Sequence, residues 1–548
     1  MFSKYIAIGG SCTSASSSFF RGNIVKRIIA CAAVFAGLAV TARAADINVD
    51  SVKDAIPDGP ITWMGVTFYG TIDVGYAYVH NGAYPSGSDY HGAAFTVFGN
   101  NFAHRDVSTL NDNALSLSNV GIKIEENIGY GFQAIGRLDT QFNPISGELG
   151  DNCAGLVRAS GQSTYAIDNN ADGNRCGQAF ANAAYGGLSH PLYGILTVGR
   201  QASLVLDGQT TYDPMALSSA FSLIGYSSTA GAGVGSSETA RWDNSVKYLF
   251  TYGPFHAAGM FTNGGQDTPM VNNGYGANVG IVYAGFSIDG FWTREDGAVN
   301  LSRIPLTGTI YSTTAITCDA ALGNCPYNTL LGSITNNVAW DVMAKYTFDV
   351  PGFFSQPALS TKDAPCGGLK DAPCAPPSAK VTLYGGYQYV DQGNPYEAQS
   401  YYSGFTTIGG YRYLASGELA FGTDRIRQTA WAGVSYQDGP WNLVGAWYYF
   451  SQNSYLNSSF NTCAQVTASN VAHVASGKYI GNTTGSNCSG DFNQGSFLID
   501  YTFNRHLDIY GGVTFTDQTG GLNGGSSSTP GYLVDNTWAF ATGVRIKW

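Results

Sequence analysis

Apolar and polar residues alternate along most of this chain with a period of two. Val66 to His80 reads VTFYGTIDVGYAYVH, with Phe68, Gly70, Ile72, Val74, Tyr76 and Tyr78 on one face and Thr67, Thr71 and Asp73 on the other. The stretch 113–143 contains a hairpin. Val120, Ile122 and Ile124 face one way there, and Asn119, Lys123 and Glu125 the other. The chain reverses at 127–131, and the return segment 132–143 carries Gln133, Arg137, Asp139 and Gln141 on its polar face. The last stretch, 535–548, sets Trp538, Phe540, Thr542, Val544, Ile546 and Trp548 against Thr537, Ala539, Ala541, Gly543, Arg545 and Lys547. A period of two predicts strands whose faces meet different surroundings. Further strands are predicted over 178–189, 194–205, 238–251, 254–263, 274–284, 285–296, 336–349, 379–391, 424–437, 440–453, 491–503 and 507–517, which brings the total to sixteen.

The connections alternate in length. Short ones fall at 127–131, 190–193, 251–254, 284–286, 438–440 and 504–506, and long Gly/Ser/Asn-rich ones at 81–113, 144–177, 206–237, 264–273, 297–335, 392–423, 454–490 and 518–534. This pattern predicts an all-β, 16-stranded antiparallel transmembrane β-barrel with periplasmic short turns and long extracellular loops. Ring closure disposes of the edge that so hydrophobic a terminal strand would otherwise expose, and lipid takes its apolar face. The segment 350–378 departs from the pattern. It is a Pro/Cys-rich insertion at a short-turn position and repeats Lys-Asp-Ala-Pro-Cys at 362–366 and 370–374. A Pro-stiffened spacer and a contact to a periplasmic partner are both readings of it.

Composition agrees. Only 12% of the 548 residues are charged, against about 25% in ordinary globular chains, while Gly (71) and Tyr (35) are abundant. Lys26 and Arg27 precede an apolar run from Ile28 to Val40, and Ala42-Arg43-Ala44 supplies a small-x-small cleavage pattern, so residues 1–44 read as an export signal. Residues 45–65 then form a mature N-terminal segment ahead of the barrel, 66–548. Residues 1–44 hold five of the 27 basic residues and none of the 38 acidic ones, leaving a mature net charge of about −16 and arguing against a nucleic-acid partner. Eight cysteines remain beyond the signal: Cys153, Cys176, Cys318, Cys325, Cys366, Cys374, Cys463 and Cys488. An even count after export points to disulfides, and pairing each cysteine with its neighbour closes the smallest loops. No CxxC or Cys/His cluster marks a metal site, and Asp168 to Gly173 resembles half of a calcium loop without its distal Glu. No cofactor is expected.

The segments GLSHPLYGILTVGRQ (187–201), ETARWDNSVKY (238–248) and SNVGIKIEENIGYGFQAIGRLDTQFN, together with the aromatic C-terminus, resemble the general porins of Gram-negative bacteria. The resemblance runs over about 66–548. It implies a homotrimer in outer-membrane lipid, passive diffusion of ions and small hydrophilic solutes, and a third loop folded into the barrel. The matching loop is Leu206 to Ser237, with Asp207 and Asp213 as its acids and Glu238 at its end. Opposite it, strand parity offers a basic wall of Lys123, Arg137, Arg241, Lys247, Lys345, Arg425, Arg427 and Arg545. Arg200 joins by position, although its alternation would need a bulge to turn it inward. Trp548 stands where the family has a terminal aromatic read by the barrel-assembly machinery. A substrate-specific channel for sugars or carboxylates is the alternative. An enzyme is not expected, since no G-x-S-x-G elbow occurs and His256 alone of the histidines lies within a strand rather than in a loop, turn or strand end.

The Ser-rich residues 1–24 fit an export signal poorly, whereas Val25 to Ala44 makes a complete one. Translation is therefore expected to start at Val25. N-terminal sequencing of the natively expressed precursor should begin there, and recovery of residues 1–24 would disprove it.

Overall fold

The computed structural model describes residues 61–82, 105–147, 149, 179–225, 241–263, 273–300, 329–354, 378–393, 405–408, 411–416, 423–454, 489–519 and 536–548. The signal, Glu238, the eight exported-chain cysteines and residues 355–377 of the insertion lie outside them. The strands are β1 (Ile61–Trp63), β2 (Val66–Gly82), β3 (Arg105–Asp112), β4 (Asn119–Gly129), β5 (Phe132–Gln141), β6 (Ala183–His190), β7 (Gly194–Ala202), β8 (Arg241–Tyr252), β9 (Phe255–Asn263) and β10 (Asn273–Tyr283). They continue as β11 (Phe286–Asn300), β12 (Thr329–Pro351), β13 (Ser378–Gly393), β14 (Phe405–Ile408), β15 (Tyr411–Ser416), β16 (Arg425–Asp438), β17 (Trp441–Gln452), β18 (Gly490–Asn504), β19 (Leu507–Gln518) and β20 (Asn536–Lys547). One helix, α1 (Leu204–Tyr212), follows β7.

Sixteen staves close a ring of antiparallel pairs. β3 and β4 together make one of them. β3 pairs with residues 74–82 of β2 and β4 with residues 66–71, so a single descending strand is interrupted at 113–118. Each predicted strand falls on one stave, β3 forms where the sequence reading put the end of the 81–113 loop, and three further features lie beyond that reading. A hairpin, β14–β15, adds a parallel pairing to the first residues of β12. A helix opens the third long loop. β1 forms within the N-terminal segment and pairs with residues 66–68 of β2.

The alternation is realised as predicted. Leu196, Val246, Val342, Leu383, Val434, Phe497, Val513 and Val544 are exposed on the outer face, where lipid covers them. Aromatics gather at two levels. Tyr130, Tyr193, Tyr252, Tyr283, Phe353 and Phe503 lie near the short turns. Trp292, Trp340, Trp447 and Trp538 lie higher on the staves, with Trp292 and Trp340 direct cross-strand partners. Such girdles mark the two interfaces of a membrane barrel.

Closure joins the first and last staves. β20 pairs with β2 from Thr71–Lys547 to His80–Trp538. Trp548 and Gly70 then exchange backbone hydrogen bonds of 3.2 Å in both directions. A Cβ at Gly70 would collide with the Trp548 indole, so glycine is what lets the terminal ring lie against β2. Beyond that point β1 takes over along the same edge of β2, after a two-residue turn in which Met64 and Gly65 both have positive φ. The strand edge is thereby covered down to the turn.

Gly70→Ala leaves the terminal residue in place but overpacks its seat, a change that costs about 1–3 kcal/mol. It should lower the temperature at which the folded barrel loses its compact gel mobility, and deletion of Trp548 should lower the yield of heat-resistant barrel further. Unchanged heat resistance in both variants would remove Trp548 from closure.

Candidate functional site

Sixteen staves enclose a bore too wide for wall side chains to fill. The third long loop enters it. Ser203 caps α1 by accepting a hydrogen bond from the Leu206 amide at 3.2 Å, and Asp207 in the first turn complements the helix dipole. Gly208 lets the helix settle on Phe291, whose ring a Cβ there would strike. Leu204, Val205, Tyr212, Met215, Phe221, Leu223 and Ile224 are buried against Trp242, Met260, Met343, Trp431, Tyr448 and Tyr510 of the wall. Each such side chain contributes about 1.5–3 kcal/mol on burial, so the hydrophobic effect holds the loop inside.

Hydrogen bonds fix its path stave by stave. Tyr212 donates to Asp289 of β11, and its hydroxyl also bonds Ser287. Lys345 of β12 donates to the Thr211 carbonyl at 3.2 Å, and the Trp431 indole of β16 to the Tyr212 carbonyl at 3.1 Å. Tyr448 of β17 donates to Asp213 at 2.5 Å. Gln494 of β18 and Thr514 of β19 reach the carbonyls of Phe221 and Ala220. The Ala220 amide finally bonds Ala114, inside the break between β3 and β4. The loop thus lines the wall from β9 to β19.

The uncovered side lies over β4 and β5. Lys123, Glu125 and Asn127, on the inward face of β4, are exposed, as is Gln133 of β5. By contrast, Arg425, Arg427, Thr429 and Trp431, on the inward face of β16, are all buried.

The predicted residues separate by exposure. Asp207 pairs with Lys247 at 2.5 Å, and Lys247 also donates to the Ala202 carbonyl at 3.0 Å. Asp207 feels the positive charge of Arg137 as well. On the opposite wall, Arg137 donates to Tyr69 at 2.7 Å and to Asp139 at 2.8 Å. Its cross-strand neighbour Lys123 pairs with Glu125 at 2.7 Å. Lys345 is half-buried beneath the end of α1, 5.5 Å from the Tyr212 ring centre.

The other predicted residues stand away from this uncovered side. Asp213 is buried and accepts from the Met215 and Leu217 amides and from Tyr448, so it staples the loop rather than facing water. Burial pushes its carboxyl up, against the pull of those hydrogen bonds. Arg200 is buried between the Ala181 carbonyl and Asp243. The register slips between Gly199 and Gln201, the irregularity its position required. Arg425 donates to Gln452 and Gln392 near the extracellular end of β16, with Arg427 buried beside it. Arg545 is clamped by Asp508 and Asp500. Arg241 opens β8 opposite Ala202, partly buried.

Three contributors were not singled out from the sequence. Tyr69 and Asp139 organise Arg137, a relation visible only once β2, β4 and β5 are adjacent. Asp73 accepts from the Leu115 and Ser116 amides and from Tyr510 at 2.6 Å, which secures the strand break where the loop tip docks. The helix had a readable start in Ser203 followed by Asp207.

A family model described as Gram-negative porin matches residues 30–355, more than half of the chain. The chain belongs to the Gram-negative porin family and is an outer-membrane channel for passive diffusion. Among solved structures it is similar to an anion-selective porin from Comamonas acidovorans, with 13% identity over 88% of this chain and 99% of that one and a TM-score of 0.48. It is also similar to outer-membrane expressed OmpT of Vibrio cholerae, at 11% identity over 89% and 100% with a TM-score of 0.44. OmpF of Salmonella typhi in complex with daunomycin is similar at 13% identity over 89% and 100%, with a TM-score of 0.41. No curated protein matches.

Tyr448→Phe withdraws one of the donors to buried Asp213, and a hydrogen bond to a charged group is worth about 1.5–3 kcal/mol. The variant should show noisier, larger single-channel currents and faster proteolysis within 213–225. Currents and cleavage like those of the parent would show that Asp213 does not staple the loop.

Proposed function

We propose that this porin is a trimeric, weakly selective pore whose narrowest passage is the slot between α1 and the β4–β5 wall. The observation that carries this reading is an uneven burial of the lumen: Lys123, Glu125 and Asn127 on the inward face of β4 are open to water, while Arg425 to Trp431 on the inward face of β16 are closed off, Trp431 by the in-folded loop. Ions and small hydrophilic solutes cross this slot by diffusion, between Asp207 on the loop and Arg137 and Lys123 on the wall. Opposed charges across a narrow water path order polar solutes and disfavour apolar ones. No bond is made or broken. Export through a cleaved signal, assembly by machinery that reads Trp548 and a trimeric state complete the proposal; family membership and the N-terminal sequence support them.

A substrate-specific channel would need a track of aromatics along the path. Phe291 is 7% exposed beneath α1, Trp431, Tyr448 and Tyr510 are buried by the loop, and Tyr384 lies on β13, so Tyr69 and Tyr185, beside Arg137, form no extended track. This favours the general pore.

Purified protein added to a planar bilayer should give stepwise, ohmic conductance increments that scale with bulk salt conductivity. Absence of conductance from folded barrels would overturn the reading, and saturation by one sugar or carboxylate would favour the specific channel.

A further inference from the structure

The lumen ion pairs differ in which partner they show to water. In the Arg137–Asp139 pair the guanidinium side chain is 43% exposed and the carboxylate 0%. Asp139 lies behind, held by Asn119 at 3.0 Å, Asn182 at 2.7 Å and the Tyr69 hydroxyl at 2.5 Å. The Asp207–Lys247 pair has the reverse polarity, with the carboxylate side chain 45% exposed and the ammonium 8%. One pair presents its positive end from the wall, and the other its negative end from the loop. Lys547–Asp508 on β20 also shows its cation, at 40% against 2%, and His256–Asp289 its imidazole, at 26% against 7%, but neither pair stands between α1 and the β4–β5 wall. Lys123 and Glu125 are about equally open, at 53% and 51%, and form a loose pair of small net effect. Arg200–Asp243 and Arg545–Asp508 are both closed off.

Tyr69 holds the forward orientation of Arg137. Its ring lies on Gly121, where a Cβ would collide with it. Its hydroxyl accepts from Arg137 Nε at 2.7 Å and donates to Asp139 Oδ2. The guanidinium carbon lies 5.4 Å from the ring centre. With Nε engaged by the phenol, only Nη2 reaches Asp139, so the guanidinium does not fold back onto the carboxylate as a two-pronged pair.

We infer that charge selection in the slot is set by the opposed orientation of these two ion pairs rather than by the count of lumen charges, and that Tyr69, seated on Gly121, is the positioning residue that keeps Arg137 forward. This rests on the slot being the conducting path. Without the phenol oxygen, Arg137 Nε turns to Asp139 and the positive end retracts behind the wall.

Tyr69→Phe tests the inference because it alters no formal charge and keeps the ring on Gly121. Reversal potentials are measured in a potassium chloride gradient centred near 0.1 M, with heat-resistant assembly checked in parallel. Arg137→Gln should shift the permeability ratio toward cations, and Tyr69→Phe should shift it the same way by at least half as much. Gly121→Ala, which pushes on the ring, should do likewise. All three shifts should fade near 1 M salt, where the screening length drops from about 10 Å to about 3 Å. A parental reversal potential in Tyr69→Phe would overturn the positioning role. Parental selectivity in a conducting Arg137→Gln channel would overturn the pair-orientation mechanism while leaving the pore intact. Failure of the parent protein to conduct would instead remove the pore reading beneath it.

Discussion

A backbone in hydrocarbon has no water to bond, so a sheet that crosses a membrane must have no edge. That constraint governs this chain from end to end. It requires the first and last staves to meet, and β2 and β20 do so over ten register pairs. It also explains two small features that would otherwise look incidental. β1 is three residues long, yet it occupies the edge of β2 that β20 does not reach. Gly70 lacks a side chain where the Trp548 indole lies.

Once the edge is gone, the two faces obey opposite rules. Outward positions meet lipid, where an Arg or Lys at mid-membrane costs about 2–4 kcal/mol, and they are filled with Leu, Val and aromatics. Inward positions meet water or protein and can hold charge. The bore is too wide to fill from the wall, so part of it is packed by a segment of the chain itself. The in-folded loop gives one side of the lumen a core like that of a soluble domain, with Tyr212, Phe221 and Ile224 almost wholly buried. The other side stays wet. The passage is what the loop leaves uncovered, and its position follows from where Ser203 starts the helix and Ala220 ends its docking.

The staves were legible because a closed membrane sheet enforces its period on every residue it contains. Side-chain parity then told which residues face inward: Lys123, Arg137, Lys247 and Arg545 all do. Parity fails where the backbone departs from the ladder. Arg200 sits in the slip between Gly199 and Gln201, and the break at 113–118 cuts one stave in two, so that its upper part, β3, read as the end of the 81–113 loop. The helix was hidden for another reason. Gly208, Thr210 and Thr211 are poor helix formers, and α1 is held by burial against Phe291 and Trp431 rather than by propensity. Nor does parity say whether an inward charge is free to act. Arg545 and Arg137 obey the same alternation, but one is closed in by Asp508 and Asp500 and the other leans into water.

Closure and constriction also meet in one place. Asp73 lies on β2 directly opposite Arg545 of β20, so it belongs to the seam that completes the ring. The same carboxylate accepts the Leu115 and Ser116 amides of the stave break and the Tyr510 hydroxyl. Tyr510 packs edge-on against Phe221 at the loop tip, and the neighbouring Ala220 amide bonds Ala114 within the break. Buried polar groups are costly when unmet, so this node forms as a unit or leaves several donors stranded. Asp73 comes from a strand that closes the barrel, Tyr510 from β19 next to the seam, and Ala220 and Phe221 from the loop that narrows it. The far end of the constriction loop is therefore seated on the closing seam. Tyr510 reaches Asp73 across β20, so this part of the docking site is completed only when β2 lies beside β20, and closure and constriction share that contact.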